Sequence, residues 1–97
     1  MKLYKDKELT QEVGSLDLGI VTAGTEKEFA YYVVNDSKAK LTDIKFEVSH
    51  KEVYVVSAPK TLDQTQSSKL VLAWTPSITL KEGLKTILKI EAIELWS

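Results

Sequence analysis

His50 is the chain's single histidine, and Ser49 and Glu52 stand beside it, so a nucleophile, a base and an acid fall within one short stretch. Acyl transfer would need His50 to reach the side chains of both neighbours. Adjacent residues on a strand point to opposite faces, so Ser49 and His50 diverge. The trio therefore predicts a solvated histidine at a strand end. Asp43 and Glu47 flank Lys45, and Glu91 follows much later. Paired carboxylates can do acid–base work where a pocket separates their pKa values. Interleaved with lysine along a strand, the same residues predict a charge-balanced wet face that also discourages edge pairing.

Other chemistries lack their parts. One histidine and no cysteine leave no two-imidazole or thiolate metal site within one chain. Asp36 and Asp63 are the best calcium candidates, but no dense acidic ligand series surrounds them. Asn35-Asp36-Ser37 fits an N-glycosylation acceptor and fits a turn equally well, and we read it as a turn. Gly14, Gly19 and Gly24 are too widely spaced for a phosphate cradle, and they suit bends around an edge strand. No cofactor, metal or catalytic residue is expected, and the chain reads as a non-enzyme.

Charge narrows the partners. All 13 basic residues are lysine, and with 14 acidic residues the net charge is −1. Arginine is the usual bidentate reader of guanine and phosphate, so its absence argues against nucleic acid. No apolar run approaches the roughly 18 residues of a membrane span. No signal-type apolar stretch follows Met1 and Lys2. The expectation is cytoplasmic synthesis with no membrane partner.

The elements that position these residues have period two. Ile44, Phe46 and Val48 alternate with Asp43, Lys45 and Glu47, the mark of a strand with one wet face. Phe29, Tyr31 and Val33 alternate with Ala30, Tyr32 and Val34. Leu70, Leu72 and Trp74 repeat the pattern, as do Leu88, Ile90 and Ala92. Glu52 to Ser57 is a shorter β-branched run. Turn residues at 35–38, Pro59, 63–68 and the 77–85 loop separate the strands. Thr79 to Leu84 is read as one helical turn. The chain is expected to be a single domain over residues 1–97, with 1–13 forming an edge arm or hairpin. Such a length hides roughly two-thirds of its unfolded surface, enough for one core without staples.

The segment Leu16-Asp17-Leu18-Gly19-Ile20-Val21-Thr22-Ala23-Gly24-Thr25 leads into a strand ending at Asn35. Leu41-Thr42-Asp43-Ile44 and Leu72-Ala73-Trp74-Thr75-Pro76 follow. In this pattern the chain resembles the bacterial and viral immunoglobulin-like sandwich modules, from Leu16 to about Ala92. Asp63-Gln64-Thr65-Gln66 departs from it, because glycine is usual in that connector. The resemblance implies an all-β, immunoglobulin-like β-sandwich of about seven strands in two antiparallel sheets, with no disulfide. It also implies a structural or accessory part of a tailed-bacteriophage virion, with a capsid or tail protein as partner.

Trp74, Phe29, Tyr31 and Phe46 are expected in the core. Tyr32 and Val34 share the opposite face, which is unusually apolar and would meet a partner or the N-terminal arm. Tyr4 and Trp96 lie near the chain ends. Tyr4, Tyr32, Val34 and Trp96 are therefore the candidate interaction residues, with a protein partner or a second copy as occupant. Trp96 serves either an interface or as a lid on its own core. A carbohydrate-binding module, stacking sugars on Tyr32, Tyr54 and Trp96, and a bacterial protein–protein interaction domain are the alternative readings.

Overall fold

The computed structural model describes residues 1–96. It contains eight strands and, among those residues, no helix: β1 (Lys2–Tyr4), β2 (Leu16–Gly19), β3 (Lys27–Val34), β4 (Lys40–Val48), β5 (Val53–Ser57), β6 (Ser67–Trp74), β7 (Leu84–Thr86) and β8 (Leu88–Leu95). All ladders are antiparallel. One sheet has the order β1-β3-β6-β5, and two ribbons pair β2 with β7 and β4 with β8. The chain is thus all-β, with a sandwich-like division of its strands around one core.

Alternation explains which residues are inside. Tyr31, Val33, Leu70, Leu72 and Trp74 line the inner face of the four-stranded sheet. Leu16, Leu18, Leu41, Ile44 and Leu84 come from the two ribbons and join the same apolar cluster. Leu62, fully buried, sits in no strand. It forms a bridge to Leu41, closing part of the outer edge of β4. Trp74 is fully buried, whereas Phe29 and Phe46 lie at the margin of the core, partly exposed. Alternation alone therefore overstates the burial of those two positions.

Three sequence expectations differ from the fold. Eight strands replace about seven, because β7 and β8 form one extended run that changes partner at Ile87. The 79–84 segment is a turn and not helical; Gly83 N–H donates to the Leu80 carbonyl at 3.0 Å. A register shift between Thr42 and Lys45 interrupts the alternation of β4, with Asp43 at φ 50°.

The N-terminal segment is both arm and hairpin. β1 pairs with β3, placing Tyr4 beside Tyr32 and Lys2 beside Val34. The chain then doubles back, with Tyr4 bridging Glu12 and Val13 N–H donating to the Leu3 carbonyl at 2.8 Å. Asp6 organises the turn by accepting from the backbone N–H groups of Thr10 and Gln11 and from the Thr10 hydroxyl.

Candidate functional site

Each chemical grouping of the sequence has a definite place. His50 Nδ1 accepts the Glu52 backbone N–H at 3.2 Å, and its ring meets Trp74 edge-on at 6.1 Å. No hydrogen bond joins Ser49 to His50 among the described residues. The Glu52 carboxyl is held below the ordinary glutamate range, first by hydrogen bonding from Ser77 and then by attraction to the Trp74 indole and His50. This is a loop-tying cluster at the β4–β5 turn.

The carboxylates of the β4–β8 ribbon are interleaved with lysines. Lys45 stands opposite Glu91, and Glu47 opposite Lys89. Lys89 Nζ also lies 3.0 Å from Glu91. Hydrogen bonding and charge from Lys89 lower the Glu91 pKa, and Glu91 raises that of Lys89. Opposite charges directly across a ladder stabilise it modestly. Asp36 pairs with the Met1 amine at 2.9 Å and Asp63 with Lys40 at 3.7 Å, so the two aspartates have separate cationic partners. Among the described residues, no three His, Cys, Asp or Glu side chains gather as a metal would require, and no helix is long and apolar enough to cross a membrane.

Asn35 is a structural hub that sequence reading placed only at a turn. It is fully buried, donating from Nδ2 to the Ala39 and Leu62 carbonyls and accepting at Oδ1 from Ser37. Its amide is engaged on both sides, which removes it from the reach of any modifying group.

The four interaction candidates fall in two places. Tyr4, Tyr32 and Val34 lie half-buried on the outer face of the β1–β3 pair. Trp96 stands far from them in register, just past the end of β8, 67% exposed. Ile93 and Leu95 precede it at 54% and 52% exposure. Ala92, expected inside, is exposed. The C-terminal end of β8 is therefore an apolar segment standing in water. Leu95 and Trp96 also border an open cleft of about 460 Å³ with Lys38, Lys40, Asp63 and Gln64.

The backbone of β8 sharpens this. Ser49 N–H donates to the Ile87 carbonyl at 3.0 Å, and the register pairs Val48 with Leu88 and Glu47 with Lys89. The main-chain groups of Ile87, Lys89 and Glu91 thus face β4. Alternation turns those of Leu88, Ile90, Ala92 and Glu94 to the opposite edge. Among the described residues no strand pairs with that edge. Beside its N-terminal half runs a groove of about 260 Å³, whose apolar walls include Leu3, Val13, Leu16, Leu88 and Ile90. Sequence reading singled out Trp96 but gave no sign of the groove, whose walls come from the N-terminal arm, β2 and β8.

No protein-family model, curated protein or solved structure matches the chain.

Proposed function

We propose that this chain is a non-enzymatic interaction module with an immunoglobulin-like arrangement, working as an accessory part of a larger assembly such as a phage head or tail. The observation that carries the reading is the exposed apolar run Ile93, Leu95 and Trp96 at the end of an unpaired strand edge. Apolar side chains concentrated beside free main-chain donors and acceptors suit strand addition by a protein partner. The immunoglobulin-like part rests on topology. The order β1-β3-β6-β5 follows that of the four-stranded sheet in such sandwiches, and β4–β8 corresponds to two neighbouring strands of the other sheet. The virion part rests on the resemblance of the Leu16–Ala92 segment alone, which is fold-level analogy.

Quantitative mass spectrometry of purified particles from the native host tests it. A fixed number of copies per particle is the supporting result, and absence from particles ends the virion reading.

The carbohydrate alternative has one feature in its favour. Tyr32 and Tyr54 share the outer face of the four-stranded sheet, through their registers with Lys69 and Ala73. The Tyr54 hydroxyl donates to Glu26 at 2.8 Å, which fixes the ring. Trp96 belongs to the other layer and cannot join that platform. Binding on a glycan array that is lost in Tyr32→Ala and Tyr54→Ala would favour this alternative.

A further inference from the structure

We propose that the open edge of β8 pairs antiparallel with β8 of a second copy, each copy seating its Trp96 in the other's groove. The inference rests on the interaction-module reading and names the partner.

The argument is the polarity of one strand. A groove with apolar walls at Leu3, Val13, Leu16, Leu88 and Ile90, lined as well by Lys2, Glu12 and Ser15, lies at the N-terminal end of β8. The exposed apolar segment lies at its C-terminal end, at Ile93, Leu95 and Trp96. A two-fold axis near Ala92 runs the strands antiparallel and brings each surplus end against the other's deficit. A parallel arrangement would stack groove on groove. Such an isologous contact satisfies both copies at once.

The register follows from the free backbone groups. Leu88, Ile90, Ala92 and Glu94 direct theirs outward, so these residues must face their own kind across the axis. Ala92 opposite Ala92 then sets Ile90 against Glu94 and Leu88 against Trp96 of the second copy. Trp96, continuing the alternation of Leu88 and Ile90, projects to the inner side, over Leu3, Val13 and Leu16. Seating both Trp96 side chains in the grooves removes on the order of 300–500 Å² from water, while Ile93 and Leu95 lie on the outer face across from Glu91 and Lys89 of the second copy, so the contact belongs to the weak, reversible class. The two sheets merge as β4-β8-β8-β4, and each open edge is closed.

Sedimentation equilibrium from low micromolar to near-millimolar protein, with amide exchange measured at both extremes, tests this. The expected result is a monomer–dimer equilibrium in which the amides of Ile90, Ala92 and Glu94 gain protection with concentration. Those of Lys89 and Glu91, already bonded to β4, change little. Ala92→Pro removes an N–H that β4 does not use, and edge positions tolerate proline. Trp96→Lys removes the side chain seated in the groove and leaves the strand intact. Each should weaken dimerisation by at least about tenfold. A wild-type chain that stays monomeric, a dimer insensitive to both variants, or protection of those amides in the monomer overturns the proposal. A monomer found in fixed copy number within particles would sink this inference and leave the module reading standing.

Discussion

The side-chain amide of Asn35 donates at 3.0 Å to the main-chain carbonyl of Leu62, 27 residues further along the chain. The same nitrogen holds the Ala39 carbonyl at 2.8 Å, and the Leu62 N–H and carbonyl in turn pair with Leu41. One buried amide thus ties the β3–β4 turn to the crossing that covers β4. Asn35→Ala leaves two buried carbonyls without this donor and should cost about 2–4 kcal/mol, lowering Tm by roughly 10–20 °C. Asn35→Asp keeps the shape but turns a carboxylate toward those carbonyls, and should be at least as damaging. Thermal melts followed by circular dichroism decide this. A Tm within a few degrees of wild type for Asn35→Ala would remove Asn35 from its role.

Gly83 and Gly19 form a second point of close approach. A Cβ at Gly83 would lie 3.0 Å from the Gly19 carbonyl carbon, and Gly83 has φ +79°. Left-handed backbone costs an L-residue roughly 1–2 kcal/mol, and here the neighbour that must give way is backbone. Gly83→Ala should therefore destabilise by about 2–3 kcal/mol and loosen the β2–β7 ribbon. Gly14 has open space around it and lies outside the left-handed region, so Gly14→Ala should change stability by less than about 1 kcal/mol. Urea denaturation of the two variants side by side is the measurement, and equal midpoints would contradict it.

Period-two patterning was enough to locate β3, β4 and β6 and to turn Tyr31, Ile44, Leu72 and Trp74 inward. Those are local properties, since a strand with one wet face writes its alternation into consecutive residues. Features built from distant segments left no such mark. Leu62 looks like one apolar residue before a polar connector, and its burial depends on Leu41 coming alongside. Asn35 has the composition of a turn whether or not Leu62 arrives to use its amide. The groove beside β8 needs the arm, β2 and β8 together. Trp96 was visible as a large side chain at the end of an alternating run, because exposure near a terminus is the simplest outcome there. The 79–84 turn shows the reverse error, where helix-compatible residues are held by Gly83 and the strands on either side.

Acid stability follows from four carboxylates held below their ordinary range. Asp6 is lowered chiefly by the Thr10 side chain, Asp36 by the Met1 amine, Glu52 by Ser77 and Glu91 by Lys89. A depressed pKa in the folded state adds stability that is full above the unfolded value near 4 and is lost as pH falls through the folded value. All four are surface groups, so solvent screens the effect and the loss should be gradual. Tyr31 works at the other extreme, because burial and Asp17 raise its pKa. Its contribution is intact below the ordinary tyrosine value near 10 and is lost as pH rises through the raised one. Calorimetry across pH should show Tm level through neutrality and falling at both ends. Asp6→Asn should flatten the acid limb relative to its own neutral Tm, and Tyr31→Phe the alkaline limb. Unchanged limbs in these variants would assign the falls to other groups.

The two tryptophans should separate stability from association. Trp74 is fully buried at the centre of the core, and Trp96 is 67% exposed. The Trp74 indole N–H makes no direct hydrogen bond, but it attracts the Glu52 carboxylate and helps hold that carboxyl low. Trp74→Ala should cost about 3–5 kcal/mol. Trp74→Phe removes less volume but also the N–H that attracts Glu52, so its cost should be smaller than that of alanine, about 1–3 kcal/mol. Trp96→Ala, measured in dilute solution, should stay within about 0.5 kcal/mol of wild type. Iodide quenching provides the matching optical readout. Trp74→Phe leaves Trp96, whose emission should be quenched readily in dilute protein and shielded as concentration rises. Trp96→Phe leaves Trp74, whose emission should resist iodide at every concentration. If Trp96→Ala lowered the dilute Tm as far as Trp74→Phe does, Trp96 would be packing on its own core, and the end of β8 would have nothing left to offer a partner.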